Sequence, residues 1–310
     1  MARNSTISKF KIGIVGPRGI GLSYLREAIN LGFNQIYIYS RNFKKNKKII
    51  KNFPNSLQKK IILCKDINFF SSKIDIVCIC SSTQTHLNYI NFFINKNIRV
   101  LCEKPLFWIN KASKKKIISQ LERIFANSKR KLITNLPLSF YTKSILKLIK
   151  KKEIIKNIEF KYLTKGKNTY NNIAIDLLPH ALSCILTIFK NRINSFKIVF
   201  VKKKKDKWES LILINKVKIY IYFEQNKFFK STNLNIKINN TIFEREQIFY
   251  KSYLKSPATY LKYCGKNKRI KNPMSESIKF NLSILLNSHV KKKDIDFNQN
   301  IMRLAYKCIK

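Results

Sequence analysis

Glycine and proline are both scarce, at seven residues each in 310, where average usage of roughly 7% and 5% would give about 37 together. A collagen-like or linker-rich chain is thereby excluded. Acidic residues number only 16 against 63 lysines and arginines, a formal net charge of +47. Such a balance ordinarily points to a polyanion partner. However, Lys, Asn, Ile, Phe and Tyr, all read from A/T-rich codons, are abundant while Gly, Ala and Pro are thin, so codon bias toward AT accounts for the charge without a nucleic acid. No uninterrupted run of about 18 apolar residues occurs, which argues against a membrane span. The segment from Met1 to Phe10 leads straight into Lys11-Ile-Gly-Ile-Val-Gly16, too short for a signal-peptide core. No two of the seven cysteines form a C-x-x-C pair, and reduced core thiols in a cytoplasmic protein are the expectation. Three scattered histidines, His86, His180 and His289, with no acidic cluster, offer no metal site.

What is present is enough for folding. Apolar residues make up 45% and aromatics 12% of the chain, so it is not disordered despite its charge, and its length is near that of two domains. From Ile12 to Thr134 short β-branched runs alternate with helical periodicity, as in strand-helix-strand units around a parallel sheet. The expected strands are Ile12–Val15, Ile36–Tyr39, Ile61–Leu63, Ile74–Cys80, Ile98–Cys102 and Lys131–Thr134. After a helix near Ser144–Lys151 the pattern becomes rich in strands, at Ile158–Leu163, Phe196–Val201, Glu209–Ile214, Val217–Phe223, Leu234–Ile238 and Ile242–Glu246. Helices are expected at Ile175–Phe189, Glu276–Leu286 and Asn298–Lys307. The fold class is therefore α/β: a doubly wound parallel (Rossmann) sheet over 1–135, then an α+β domain with a largely antiparallel, open-faced sheet over 136–310.

Gly16-Pro17-Arg18-Gly19-Ile20-Gly21 stands directly after the first strand and before a helix. A dinucleotide pyrophosphate needs bare backbone N–H groups at a helix N-terminus, and this is where glycines allow close approach. The second position of G-x-G-x-x-G holds Arg18, so either the turn is rebuilt around Gly19 or the Arg18 side chain runs along the phosphates. Nineteen residues after Gly21, Ser40 and Arg41 occupy the place of the acidic residue that grips an NAD ribose. A hydroxyl and a guanidinium suit a 2′-phosphate instead, so NADP is preferred over NAD.

Two further motifs follow: Ser81-Ser82-Thr-Gln-Thr-His86 after the fourth strand and Glu103-Lys104-Pro105 after the fifth, with Asp176-Leu-Leu-Pro-His180 72 residues beyond Lys104. With the glycine turn, these residues resemble the glucose–fructose oxidoreductase / inositol dehydrogenase / rhizopine catabolism family (Gfo/Idh/MocA). The resemblance implies a nucleotide-binding domain joined to an open-faced substrate domain, with the reaction at the cleft between them. It implies cofactor contacts from Ser81, Ser82, His86, Glu103 and Lys104 beside those of Gly16, Arg18, Gly19, Ile20, Gly21, Ser40 and Arg41. It also implies a homo-oligomer built through the C-terminal sheet. Two features depart from the family pattern, Asn171-Asn172 before the aspartate and Ser183 three residues after His180.

Chemistry assigns roles to the catalytic candidates. Hydride transfer from a carbinol leaves a hydroxyl proton to be accepted, and an imidazole with an ordinary pKa of about 6.5 serves both directions, which suits His180. The Lys104 ammonium stabilises developing charge on the same oxygen. Asp176, four residues before His180 and so on its helical face, orients the ring or binds a substrate hydroxyl. The expected function is NAD(P)-dependent oxidoreduction of a hydroxyl or ketone on a sugar-like, polyol or nucleotide-sugar substrate, with no specific nucleic-acid partner. The alternatives are a non-catalytic dinucleotide-binding protein of the same fold and, on charge alone, a nucleic-acid binder.

Overall fold

Residues 11–134 build a parallel sheet from short apolar strands, each buried by the helices that connect them. The computed structural model describes residues 7, 9–109, 112–149, 153–252, 254–287 and 290–309, so His289 lies outside the described residues. The strands are β1 (Lys11–Val15), β2 (Gln35–Tyr39), β3 (Ile61–Cys64), β4 (Ile76–Ile79), β5 (Arg99–Cys102) and β6 (Leu132–Thr134). They lie in the order β3-β2-β1-β4-β5-β6, every neighbouring pair parallel. This is the doubly wound order, whose direction of winding reverses between β1 and β4. All four residues of β4 are buried, as a strand covered on both faces requires.

The connecting helices are α1 (Ile20–Asn30), α2 (Phe43–Ile50), α3 (Asn55–Gln58), α4 (Ile67–Ser72), α5 (Thr83–Asn95) and α6 (Lys114–Asn127). Helices α2 to α4 are absent from the sequence reading, because they are short and α2 carries lysines through its middle. Helix α7 (Leu138–Leu146) begins at Pro137 and buries Leu138, Tyr141, Thr142 and Ile145. It ends where the sequence reading placed its start, since the apolar face precedes Lys147 rather than following it.

The second sheet has the order β14-β13-β12-β11-β7-β10-β9-β8. Its strands are β7 (Asn157–Thr164), β8 (Phe196–Lys203), β9 (Lys207–Ile214), β10 (Val217–Gln225), β11 (Asn233–Ile238), β12 (Thr241–Ile248), β13 (Ala258–Tyr263) and β14 (Lys266–Ile270). All pairs are antiparallel except β7 with β10. Strand β14, Lys-Asn-Lys-Arg-Ile, is an exposed edge strand, and its lack of alternating apolar residues kept it out of the sequence reading. With few glycines, the two-residue turn between β9 and β10 is made by Asn215 (φ 50°) and Lys216 (φ 65°) in the left-handed region. Asn215 holds that turn with its side chain, accepting from Asn194 N–H at 2.7 Å and donating to Arg192 O at 2.7 Å. Against this sheet packs α8 (Asn171–Ile188), the one described helix of a length and mean hydropathy (1.2) that would span a bilayer. It is 72% buried, as a core helix is.

The chain divides into two compact units. The first joins Met1–Asn135 to Tyr250–Ser256 and Met274–Gln299, and the second holds Leu136–Phe249, Pro257–Pro273 and Asn300–Lys310. The sequence division at 135/136 assigned those two late segments to the second half. Packing groups them with the first unit: Ile278, Leu282 and Leu285 of α9 (Pro273–Asn287) join Ile12, Ile14, Tyr24 and Leu25 in one core. A buried carboxylate reinforces the junction. Glu27 accepts from Ser275 Oγ at 2.7 Å, Ser256 Oγ at 3.1 Å and Arg26 Nε at 3.0 Å, and Lys279 Nζ lies 3.5 Å away. A last helix, α10, covers Lys292–Cys308.

Candidate functional site

At the switch point the carboxyl ends of β1, β2 and β4 open into a groove of about 580 Å³. Gly16, Arg18, Gly19, Ser40, Arg41, Ser81 and Ser82 all line it, together with Asn42, Thr85 and Tyr89. Two helices start at its wall. Helix α1 is entered through Gly19 (φ 55°) and α5 through Ser82, neither with a side-chain cap, so both helix N-termini are left to an anion. Gly16 (φ 79°) passes so close to β4 that a Cβ would lie 2.9 Å from Ser81 N, and a Cβ on Gly21 would lie 2.2 Å from Gly16 O. Beside Gly19 a Cβ would meet nothing within 4 Å. Gly19 opens the helix and Arg18 lines the groove. At the β2 end, Ser40 Oγ accepts from Asn46 Nδ2 at 2.6 Å and from Asn42 N–H at 3.3 Å. Its own proton is then available to donate.

The remaining candidates of this unit sit elsewhere. Ile20 is exposed at the first position of α1, and Gly21 serves close packing; neither lines the groove. Glu103 is buried, accepting from Tyr24 Oη and, at 2.8 Å, from Asn135 Nδ2, and the backbone N–H of Lys104 donates to it at 3.3 Å. Burial and the Glu103 carboxylate push the Tyr24 hydroxyl well above its ordinary pKa, which keeps it a donor. Asn135 Oδ1 accepts in turn from Ser277 Oγ at 2.6 Å, so the loop carrying Lys104 rests on a buried polar network. His86, one turn into α5, is buried rather than lining the groove. Its ring nitrogens lie 2.9 Å from Pro105 O and 3.0 Å from Ser81 O, and a neutral ring donates to only one of these two carbonyls. Burial lowers its pKa against the opposing pull of those carbonyls and Glu103, favouring the neutral ring.

In the second unit Asp176 and His180 share one face of α8. Gln225, at the end of β10, donates from Nε2 to Asp176 Oδ2 at 3.1 Å and accepts the N–H of Asn168 at 3.2 Å. A Cβ at position 166 would lie 2.6 Å from Gln225 Oε1, so Gly166 is what lets this bracket close. The Tyr162 ring of β7 meets His180 edge-on, with centroids 5.9 Å apart. His180 itself is buried. Asn168, Gln225 and Tyr162 are absent from the sequence reading, although a glycine at 166 in so glycine-poor a chain is a signal of crowding.

Residues 10–124 match the model of an oxidoreductase family with an NAD-binding Rossmann fold, Gfo/Idh/MocA. Over residues 10–124 the chain is a Gfo/Idh/MocA nucleotide-binding domain. A search of curated proteins finds no match. Among solved structures, the fold is shared with UDP-N-acetylglucosamine 3-dehydrogenase from Acidithiobacillus ferrooxidans (TM-score 0.67, 11% identity, 96% of each chain covered). It is shared too with the WlbA dehydrogenase from Thermus thermophilus in complex with NAD and UDP-GlcNAcA (0.68, 13%, 97% of this chain and 95% of that one). A 3-ketoreductase from Actinomadura kijaniata in complex with TDP-benzene and NADP is a third (0.66, 13%, 96% of each).

The donor set of this Gfo/Idh/MocA domain fits a dinucleotide. Its groove presents two uncapped helix N-termini, two guanidinium groups and several hydroxyls, and no carboxylate is among its lining residues. That combination matches a diphosphate and disfavours cations. No group of three or more His, Cys, Asp or Glu able to hold a metal occurs among the described residues. Six of the seven cysteines are buried and all are free; burial raises the Cys78, Cys80 and Cys102 thiols well above their ordinary range, so they are inert core residues.

Proposed function

We propose that this protein is an NADP-preferring oxidoreductase that moves a hydride between a nicotinamide cofactor and a hydroxyl or ketone of a sugar-like, polyol or nucleotide-sugar substrate. The observation that carries the reading is the acid-free groove with its two open helix N-termini. The cofactor, when bound, supplies or accepts the hydride. Gly16, Gly19, Ser81 and Ser82 hold the diphosphate, while Arg41 and the donating Ser40 hydroxyl take the ribose 2′-phosphate. His180 accepts or returns the substrate hydroxyl proton, Asp176 orients it, and Lys104 stabilises charge on the reacting oxygen. Its backbone seat on Glu103 fixes where that ammonium starts from.

The outer face of the second sheet supports a homo-oligomer. Glu159 pairs with Lys237 and Lys161, Glu224 with Lys207, and Glu246 with Lys262, beside exposed Ile242 and Ile248, so four lysines of this face are met by three carboxylates in a chain of +47. Burial of six cysteines as free thiols accords with a cytoplasmic protein. Nucleic acid binding is a charge effect in this reading, and it should fade on raising salt from about 50 to 200 mM; a sequence-selective complex that survives would favour the rival.

The test is a fluorescence titration with NADPH and NADH followed by a screen of nucleotide sugars, sugars and polyols in both directions. Tighter NADPH binding and turnover of one substrate class support the reading. NADH binding as tight or tighter overturns the preference, and cofactor binding without turnover of any class points to the non-catalytic alternative.

A further inference from the structure

The inner face of the second sheet carries a cation in an apolar row. Register sets Trp208 of β9, Phe223 of β10, Tyr162 of β7, Leu234 of β11 and Arg245 of β12 side by side. At about 4.8 Å per strand, Arg245 stands roughly 10 Å across the sheet from Tyr162, and a guanidinium on its long stem reaches back. Its carbon lies 5.6 Å from the Tyr162 ring centre, and Nη2 donates to the Tyr162 hydroxyl at 3.4 Å. That same ring also meets His180 edge-on.

A guanidinium has five N–H donors, and the only acceptor found for this one among the described residues is that hydroxyl, at the long end of the range. Its Nε is sealed from solvent with no partner. No carboxylate lies within ion-pair distance among the described residues: Glu244 and Glu246 flank it but point to the opposite face of the strand, and Glu246 is held by Lys262 at 3.0 Å. Nearby, the buried hydroxyl of Tyr141 on α7 also lacks a partner, and the Arg245 charge acts on it against the upward pull of burial and of the Cys184 and Glu244 charges. Lys161, Lys207, Lys237 and Lys262 on the outer face, by contrast, find glutamates. A half-buried guanidinium with unfilled donors costs stability unless an anion completes it, and its planar fork fits a carboxylate or a phosphate with two parallel bonds.

We propose that Arg245 is a specificity-determining residue that takes an anionic group of the substrate, a carboxylate or a phosphate, beside His180. This rests on the oxidoreductase reading for its word substrate, but not for the anion. The second unit therefore selects a charged sugar derivative, such as a sugar acid or a nucleotide sugar, over a neutral polyol.

The test is calorimetric titration of the full protein with UDP, glucuronate and glucose, in saturating NADP so that Arg18 and Arg41 are occupied, for the unmodified chain, Arg245→Gln and Arg245→Lys. The expected result is that UDP or glucuronate binds the unmodified protein with an affinity that falls as salt rises. Arg245→Gln should weaken that binding about tenfold or more, Arg245→Lys should restore part of it, and glucose should not discriminate. Which anion binds separates phosphate from carboxylate. A second readout guards against a structural role: without ligand, Arg245→Gln should melt no lower than the unmodified protein, since it removes an unpaired cation. Absence of binding by either anion, equal binding to Arg245→Gln, or a lower melting temperature of that variant each overturns the proposal. Arg245-dependent binding without turnover of any substrate would instead sink the oxidoreductase reading and leave this one standing. Unchanged kcat/KM of Arg245→Gln for an anionic substrate would do the reverse.

Discussion

The two units differ in how their buried charged groups are met. In the first, buried carboxylates are saturated: Glu27 by Ser256, Ser275 and Arg26, and Glu103 by Tyr24, Asn135 and the Lys104 N–H. In the second, Arg245 keeps a sealed Nε without a partner, as do Thr164 Oγ1, Trp208 Nε1 and Ser210 Oγ of the same sheet face and Tyr141 Oη of α7, whereas the first unit's sealed orphans, Asn46 Oδ1, Gln120 Nε2 and Thr134 Oγ1, are all neutral groups. Saturated networks fix geometry, whereas orphaned groups await a ligand or cost stability. The first unit thus pairs its buried carboxylates internally, whereas the second leaves a guanidinium incompletely paired.

Four experiments bear on that contrast. The largest effect should come from His180→Ala and Lys104→Ala, which should lower kcat by about 10²–10⁴-fold with saturating substrate and cofactor. Circular dichroism should show both folded, and NADPH titration should show His180→Ala binding cofactor as before. Turnover at the unmodified rate would remove the second unit's claim to the chemistry. Next, Glu27→Ala should destabilise the first unit by about 3–5 kcal/mol, read by denaturant unfolding, because Arg26 is then buried without its carboxylate. A loss under about 1 kcal/mol would mean the saturated network is not what binds the late segments.

Third, acid should reveal the same group. Burial alone would raise the Glu27 pKa, but its bonds to Ser275 and Arg26 and the Lys279 charge outweigh this and lower it below 4.5. A depressed folded-state pKa contributes stability that is full above the unfolded value and lost as pH falls through the folded one. Melting curves from pH 7 down to about 3 should therefore show the gap between the unmodified protein and Glu27→Gln closing only below the ordinary carboxylate range of about 4.3. A gap that is constant with pH would break the assignment. The smallest effect falls on the groove: Arg41→Asp should shift the NADPH-to-NADH affinity ratio by about ten- to a hundredfold, the scale of one charge-assisted bond. An unchanged ratio would move the 2′-phosphate contact to Arg18 or elsewhere.

The first unit was more readable than the second for a physical reason. Gly16, Arg18, Gly19, Ser40, Arg41, Ser81 and Ser82 follow strand ends in chain order, so locating the strands places them around one groove. The strand-helix alternation that locates them is a local signal. Arg245 and Gln225 have no such signal. In Glu244-Arg245-Glu246 the arginine reads as one more solvated charge, and only pairing with Leu234 and Leu261 shows it on the inner face. Gln225 reaches Asp176 across 49 residues of chain. The late segments escaped for the same reason, since the partners of Ser256, Ser275 and Ser277 lie more than a hundred residues earlier.

That discontinuity has a consequence in time. The parallel sheet is translated by Asn135, but the segment that closes its core begins at Met274, about 140 residues later. At about 5–20 residues per second of synthesis, the carboxylate of Glu27 and the apolar flank of α1 wait roughly 10–30 s for Ser256, Ser275 and Leu282. During that interval the nascent Rossmann unit exposes the patch that α9 will cover, and it is then that a chaperone or early cofactor binding has most to protect. Released chains truncated near 240 and near 305 should differ sharply in protease resistance of residues 11–134.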